Sequence, residues 1–235
     1  GDGSFRKAIQ DANANAGPDV INVQVIGTVN LLTTTPTITD SVIINGGSQN
    51  GFILNGGGIS GVRPIYVNAA GINVSIRDLT VTGGNGTSLG GGIRVDGGST
   101  VTLTNLTVTA NSGTGAAGIN VATSSNLYIF NSIISNNTVT TAGGDGGGIN
   151  CTSSNLYITG TTISGNSVMT TGGSTGGGIN VATSSSTPSI VSFVRVENST
   201  VSGNTAQTGG GVYVTGGGSF KGTNLTVSGN STNNP

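Results

Sequence analysis

An all-β solenoid, a chain wound into stacked parallel coils, is predicted by three features of the sequence. A short strand with a fixed ending returns about every 26 residues. Its apolar residues alternate with Thr and Ser, the period of a strand with one buried face. The intervals are turn-forming Gly, Asn, Ser and Thr, while charge is scarce: Gly makes up 44 of 235 residues and charged residues only 6%, against roughly 7% Gly and about a quarter charged in ordinary domains. Low charge with abundant Gly also fits disorder, but disordered chains lack such recurring Val, Ile and Leu. Strands of 3–5 residues bury little alone. Each must pair in parallel with its copy one turn along, about 4.8 Å away. Three strands per coil give a single-stranded parallel β-helix, right-handed as parallel crossovers nearly always are.

The first element is the exception to the repeat. Residues 1–19, GDGSFRKAIQDANANAGPD, carry five of the fifteen charged residues: Asp2, Arg6, Lys7, Asp11 and Asp19. Ser4 is a good helix N-cap, Phe5, Ala8, Ile9 and Ala12 share one helical face, and Gly17-Pro18 supplies a stop. A short amphipathic helix must lay its apolar face on something. The open end of the first coil is the apolar surface on offer, so residues 4–16 read as a cap that also shields unpaired strands. VINVQV, TVNLL, PTITDSVIING, GFILNGG and RPIYV then supply strands for about two coils.

From there the repeat is regular. DLTVTGGN at Asp78 is followed by NLTVTANS at Asn105, NSIISNNT at Asn131, GTTISGNS at Gly160, NSTVSGNT at Asn198 and NLTVSGNS at Asn224, in steps of 27, 26, 29, 38 and 26 residues. The longest step contains SSSTPSIVSF, an inserted loop. A second anchor, GGGIRV, AAGINV, GGGINC, GGGINV and GGGVYV, places Ile93, Ile119, Ile149, Ile179 and Val212 in register. Between the anchors lies a middle strand such as NLYI at Asn126 and Asn155. The expected architecture is seven or eight coils in one domain, with the cap over 1–19 and the β-helix over 20–235.

Aligning the repeats assigns side chains to columns. Leu79/Val81, Leu106/Val108, Ser132/Ile134, Thr161/Ile163, Ser199/Val201 and Leu225/Val227 face inward, as do Val74, Val101, Leu127, Leu156, Val194 and Phe220 of the middle strand. Asn111, Asn137, Asn166, Asn204 and Asn230 close the strands in register; Asn suits a left-handed turn and its amide can bond its stacked copy.

Composition narrows the function classes. A net charge of −1 gives no basic face for nucleic acid or an anionic membrane, and no apolar run approaches the roughly 20 residues of a membrane span. His is absent, removing the commonest acid–base group and zinc ligand. The single Cys151 falls in the inward column of Val121 and Val181, where it reads as a small buried hydrophobe. No GxGxxG-like string leads from a strand into a helix, and GGDGG occurs once, at Gly143–Gly147, short of a recurrent calcium repeat. No cofactor or metal is expected.

With the repeat laid out, GSFRKAIQDANANAGPDVINV resembles the entry segment of a large group of bacterial secreted β-helix proteins, which typically reads S-L-R-x-A-I-x-x-A-N, a Pro/Gly-Ala-Asp turn and the first strand. PTITDSVIINGG and GINVSIRDLTVTGGN resemble that group's early coils, and the GGGI and SGN anchors resemble the GGAI-type repeats of polymorphic outer-membrane protein passengers. The resemblance spans nearly the whole chain and implies a β-helix exported to the cell surface or medium. It is specific for fold and export and says little about activity. Lys7 departs from it: Glu is common there, and with Lys the capping box to Ser4 is missing.

Parallel β-helices also host polysaccharide lyases and hydrolases, and glycoside hydrolysis needs two carboxyl groups about 5–9.5 Å apart. The outward column of the anchor strand reads Tyr66, Arg94, Asn120, Asn150, Asn180 and Tyr213, and Asp96 is the one acid in it or the neighbouring column. No two carboxylates align on adjacent coils of one face. Arg94 with Asp96 is the best enzymatic pair, and its plain alternative is a solvated surface ion pair. Two other outward features invite contact. Ser75, Thr102, Tyr128, Tyr157, Arg195 and Lys221 form a column whose stacked Tyr and cations suit sugar or a partner protein, or simply shield the sheet. The Thr pairs Thr80/Thr82 and Thr107/Thr109, continued by Thr200/Ser202 and Thr226/Ser228, form a rank like those of ice-binding solenoids, interrupted by Ile133. Eight N-x-S/T sequons, at Asn73, Asn85, Asn105, Asn136, Asn150, Asn198, Asn224 and Asn230, leave room for N-glycosylation. With 27 Asn their number is what composition alone would produce.

The ends differ. Phe5 and Ile9 plug one end, whereas the last repeat leaves Leu225 and Val227 without a cap. A heterologous contact of this kind joins molecules head to tail, unless a further C-terminal domain covers the coil. The expectation is a non-enzymatic extracellular structural protein, a surface or filament-forming solenoid with adhesion as a further role. A carbohydrate-active enzyme or glycan-binding module is the alternative.

Overall fold

The computed structural model describes residues 4–47, 51–169, 172–183 and 190–233. The middle strands stack as Asp19–Asn22, Val42–Asn45, Asn73–Arg77, Thr100–Thr104, Asn126–Phe130, Asn155–Thr159, Phe193–Ser202 and Ser219–Ser228, which makes eight coils among the described residues. The closing strands run beside them: Gly27–Asn30, Phe52–Asn55, Leu79–Thr82, Thr107–Thr109, Ile133–Ser135 and Thr162–Ser164. In the last two coils middle and closing strands fuse into single ten-residue strands, so both columns belong to one 14-stranded sheet. A six-stranded anchor sheet comprises Ile65–Asn68, Ile93–Asp96, Ile119–Val121, Ile149–Thr152, Ile179–Ala182 and Val212–Val214. Where three strands per coil were expected, a fourth of two residues turns the corner, from Asn85–Gly86 through Ser231–Thr232.

The pairings are parallel and in the expected register. Val42, Val74, Val101, Leu127, Leu156, Val194 and Phe220 stack in one column, and all but Phe220, which is half-buried, are inaccessible to solvent. Each such side chain contributes about 1.5–3 kcal/mol through burial. Inward Leu106 gives way to Ser132, Thr161 and Ser199 in the following coils. These hydroxyls stay buried because each accepts from a backbone N–H one coil away: Ser132 from Leu106, Thr161 from Ser132 and Ser199 from Thr161.

The closing Asn residues form the expected ladder. Asn111 donates to Asn137, Asn137 to Asn166, Asn166 to Asn204 and Asn204 to Asn230, at 2.9–3.0 Å. The same amides also donate to the carbonyls of Val81, Val108, Ile134 and Ile163. Their backbone corrects one expectation. The left-handed residue is the one before each rung, Ala110, Asn136, Gly165, Gly203 and Gly229, and not the rung itself. A second left-handed position opens the closing strands at Asp78, Asn105, Asn131, Gly160, Asn198 and Asn224.

The Gly runs before the anchor strands follow from this ladder. A Cβ on Gly178 would lie 2.5 Å from the Gly211 carbonyl oxygen and 3.0 Å from Asn204 Nδ2; Gly148 meets the next coil and Asn166 in the same way. Only a residue without a side chain lets the backbone pass over the amides.

The helix spans Phe5–Ala14, capped by Ser4, whose Oγ accepts from the Lys7 N–H at 3.2 Å. Ile9 and Ala12 are buried against the first coil, and Phe5 packs on Phe52 with ring centroids 5.5 Å apart. Asn13 donates to the Thr37 carbonyl and accepts from the Thr39 N–H, at 2.7 and 2.8 Å, pairing backbone that the first coil leaves open. Arg6 ties the helix to the carbonyls of Thr33 and Thr34. Of the inserted loop, residues 184–189 lie outside the described residues; the chain re-enters the sheet at Phe193.

Candidate functional site

Aromatic residues gather on the outward face of the middle strands. Strand alternation turns Tyr128 and Tyr157 outward, and pairing Asn126–Phe130 with Asn155–Thr159 sets them in register. Their rings stack 4.9 Å apart, inclined by 8°. Phe193 leans on Tyr157 at 5.8 Å. Arg195 and Lys221 continue the column, and Arg195 donates through Nε and Nη2 to Glu197 Oε1 at 2.8 and 2.5 Å. Tyr128, Tyr157, Ile158, Thr159, Arg195 and Glu197 line a shallow depression of about 250 Å³. Ring edges, phenolic hydroxyls and a guanidinium–carboxylate pair there converge on one surface. Phe130 and Phe193 escaped the sequence reading, although each lies two residues from a position of the Tyr column in its own strand. That spacing was the available signal.

The anchor face departs from expectation. Asn120, Asn150 and Asn180 form the predicted column, but they are buried under the Gly-rich turns, not outward in solvent. A Cβ on Gly146 or Gly176 would touch Asn150 or Asn180 at 2.7 Å. Asn180 donates to Asn150 and Asn150 to Asn120, at 2.8 and 2.9 Å, making a second ladder. At its end sit Tyr66, Arg94 and Asp96. Arg94 Nε donates to Asp96 Oδ2 at 2.5 Å, the Tyr66 hydroxyl reaches the same oxygen at 3.3 Å, and the Arg94 guanidinium lies 5.1 Å from the Tyr66 ring centre. The Asp96 side chain is only 6% exposed, so this is not the solvated surface pair expected.

Arg63, not foreseen from RPIYV, also packs on Tyr66, its guanidinium 5.4 Å from the ring centre, and donates to the carbonyls of Gly90 and Leu89 and to Ser88 Oγ. Burial lowers the pKa of its guanidinium and Arg94 adds to this, while Tyr66 and Asp96 oppose it. Burial likewise raises the pKa of the Tyr66 phenol, with Asp96 reinforcing and the two arginines opposing. The cluster is thus a knot that ties the turn at Ser88–Gly90 to the sheet.

The remaining candidates separate by exposure. Among the sequons, Asn73, Asn136, Asn198 and Asn224 are exposed, Asn85, Asn105 and Asn230 are half-buried, and Asn150 is enclosed in the second ladder, where no glycan fits. Ile9 is spent on the core and offers nothing to a joint, whereas Phe5 is half-buried. Leu225 is half-buried and Val227 exposed in the last described coil. The Thr rank runs as expected on the closing strands, broken by the exposed Ile133. Cys151 is buried; loss of hydration pushes its pKa up to about 12, outweighing its contact with Ser192, so the thiol is unreactive.

Each described carboxylate already has a partner. Asp11 pairs with Lys7, Asp19 with Asn15, Asp40 with the Ser41 and Gly17 amides, and Asp78 with Asn105. Asp96 is held by Arg94 and Tyr66, Asp145 by Thr175 and Glu197 by Arg195.

Stacked parallel coils around one apolar column, with outward rows in register, define a parallel β-solenoid. Residues 22–234 match the family model described as the right-handed β-helix region. The chain belongs to the right-handed β-helix family, which also fixes the hand of the coil. Comparison with curated proteins and with solved structures found no match.

Proposed function

We propose that the protein is a non-enzymatic, extracellular structural β-solenoid: a stiff element of a cell surface or filament. One observation carries this reading. Each described carboxylate is tied to a neighbour through at least one oxygen, and the recurring amides of two columns bond one another in buried ladders, with Asn120 Nδ2 at the end of the second ladder and one oxygen each of Asp19 and Asp96 left unpaired, so polar chemistry holds coils together. General acid–base catalysis on a glycoside would instead need a pair of carboxyl groups free to exchange protons. Export rests on the likeness of the entry segment and the Gly-rich anchors to bacterial secreted and outer-membrane passenger repeats. Association belongs to the same proposal: the edge bearing the partly buried Phe220 and Leu225 and the exposed Val227 packs against a second copy.

Electron microscopy and sedimentation of the purified protein test the structural role, with rods or fibres expected. Turnover in a mixed-polysaccharide screen that disappears in Asp96→Asn would overturn it. The depression beside Tyr157 and Arg195 favours a second reading, adhesion to a glycan, because ring edges and a fixed guanidinium suit a sugar's mixed surface. Glycan-array binding that Arg195→Ala abolishes would support it.

A further inference from the structure

We propose that Tyr128 and Tyr157 are the site of an oxidative crosslink, an ortho–ortho carbon–carbon bond between the two phenol rings that staples neighbouring coils. The inference stands apart from the function proposed above. Four features of the geometry carry it. The rings lie 4.9 Å apart, centre to centre, and are nearly parallel at 8°. Their backbones are register partners in a parallel ladder, so the rings leave the sheet side by side and stay neighbours whenever the sheet is intact. Both are half-buried on an outward face and line one shallow depression, which gives an oxidant an approach to both rings. Above Tyr128 the column drops to the small Thr102, whereas Phe193 leans on the far side of Tyr157, so each phenol has one phenol neighbour.

The chemistry balances with a one-electron oxidant of the peroxidase type and hydrogen peroxide. Each phenol gives up the hydrogen atom of its hydroxyl, leaving a radical with spin density on its ortho carbons. The two radicals combine there to form one carbon–carbon bond. The hydrogens on the two joined carbons then move to the ring oxygens, restoring both phenols and both aromatic rings. Overall two electrons and two protons pass to peroxide, which leaves as two waters, and the protein loses two hydrogen atoms. Pre-positioning turns radical coupling into an intramolecular step that outcompetes collision between molecules. Tyr66 and Tyr213 share a column too, but Arg94, Asn120, Asn150 and Asn180 stand between them. They serve as internal controls.

The test is to treat dilute protein with peroxidase and hydrogen peroxide and examine the monomer. The expected product is a monomer lighter by two hydrogen atoms with the blue emission of a biphenol. Asp145 is the one acidic residue between the two tyrosines, so cleavage at Asp should leave the two fragments joined. Tyr128→Phe and Tyr157→Phe, which keep the ring stack, should each abolish the product, while Tyr66→Phe and Tyr213→Phe should leave it. The crosslinked monomer should also melt at a higher temperature than the untreated protein. A lighter monomer that persists in Tyr128→Phe, fragments that separate after cleavage at Asp145, or crosslinking confined to dimers would each overturn the proposal.

Discussion

At the scale of single residues, this protein uses amides and hydroxyls where a larger core would use apolar bulk. Asn166 shows how. Its amide bonds Asn204 and the Ile134 carbonyl, while its oxygen accepts from both the backbone and the side chain of Asn137. Asn166→Ala removes these bonds and leaves buried partners unsatisfied, each at about 1–3 kcal/mol. A loss of about 3 kcal/mol or more is expected in urea unfolding, with the slope unchanged; a loss within experimental error would show that the ladder is idle. Cys151 makes a second prediction. Its folded pKa is raised from 9.0 to about 12, so the thiol form contributes stability that is fully present below pH 9.0 and is lost as pH rises toward 12. The decline attributable to this group is about 1.4 kcal/mol per pH unit in that window. Val121 and Val181 fill the same column in the adjacent coils, so Cys151→Val should fold normally. Comparing the two proteins from pH 8 to pH 11 isolates the thiol from other groups that titrate there, and parallel pH curves would refute the assignment.

At the scale of elements, the helix and the Gly-rich turns were legible in the sequence for different reasons. Ser4, Phe5, Ile9 and Ala12 form a local signal, an N-cap followed by apolar residues at helical spacing, and the helix appears where that signal lies. Ile9 is 2% exposed, and Ile9→Ala should cost about 2–5 kcal/mol. Hydrogen exchange should show the extra opening concentrated in the first coils, since each coil leans mainly on its neighbours. Uniform loss along the chain would contradict this. The Gly runs were visible as a repeat, but their purpose was not. Gly178 is small because an amide from a ladder lies beneath it, and that amide is 26 residues away in the chain, at Asn204. Gly178→Ala should therefore be among the more damaging small substitutions, raising the unfolding rate and lowering the melting temperature, whereas an ordinary solvent-facing Gly would tolerate Ala.

At the scale of the whole molecule, the fold is one-dimensional. Middle strands pair in register through all eight described coils, so every repeat offers its successor the same surface. Deleting residues 131–159, one full step of 29, joins Phe130 to Gly160 at equivalent points. The shortened protein should remain a folded β-solenoid by circular dichroism with a lower urea midpoint. Deleting half that length destroys the register of each column and should prevent folding; if both deletions behaved alike, the coil would not be the unit of this structure.

The sequence by itself determined the solenoid, its inward columns, the first Asn ladder, the helical cap and the stacked tyrosines, because a strict repeat turns each long-range contact into a local one. A residue meets its own counterpart, and counterparts can be aligned without coordinates. Tertiary structure alone decided what the turns do. It placed the Gly-rich corners over Asn120, Asn150 and Asn180, buried Asp96 beside Arg94 and Arg63, added the two-residue corner strand and moved the left-handed backbone to the residue before each rung. Alternation states which way a strand residue points. It does not state whether another stretch of chain folds over that residue, and at the anchor face that covering sets the electrostatics.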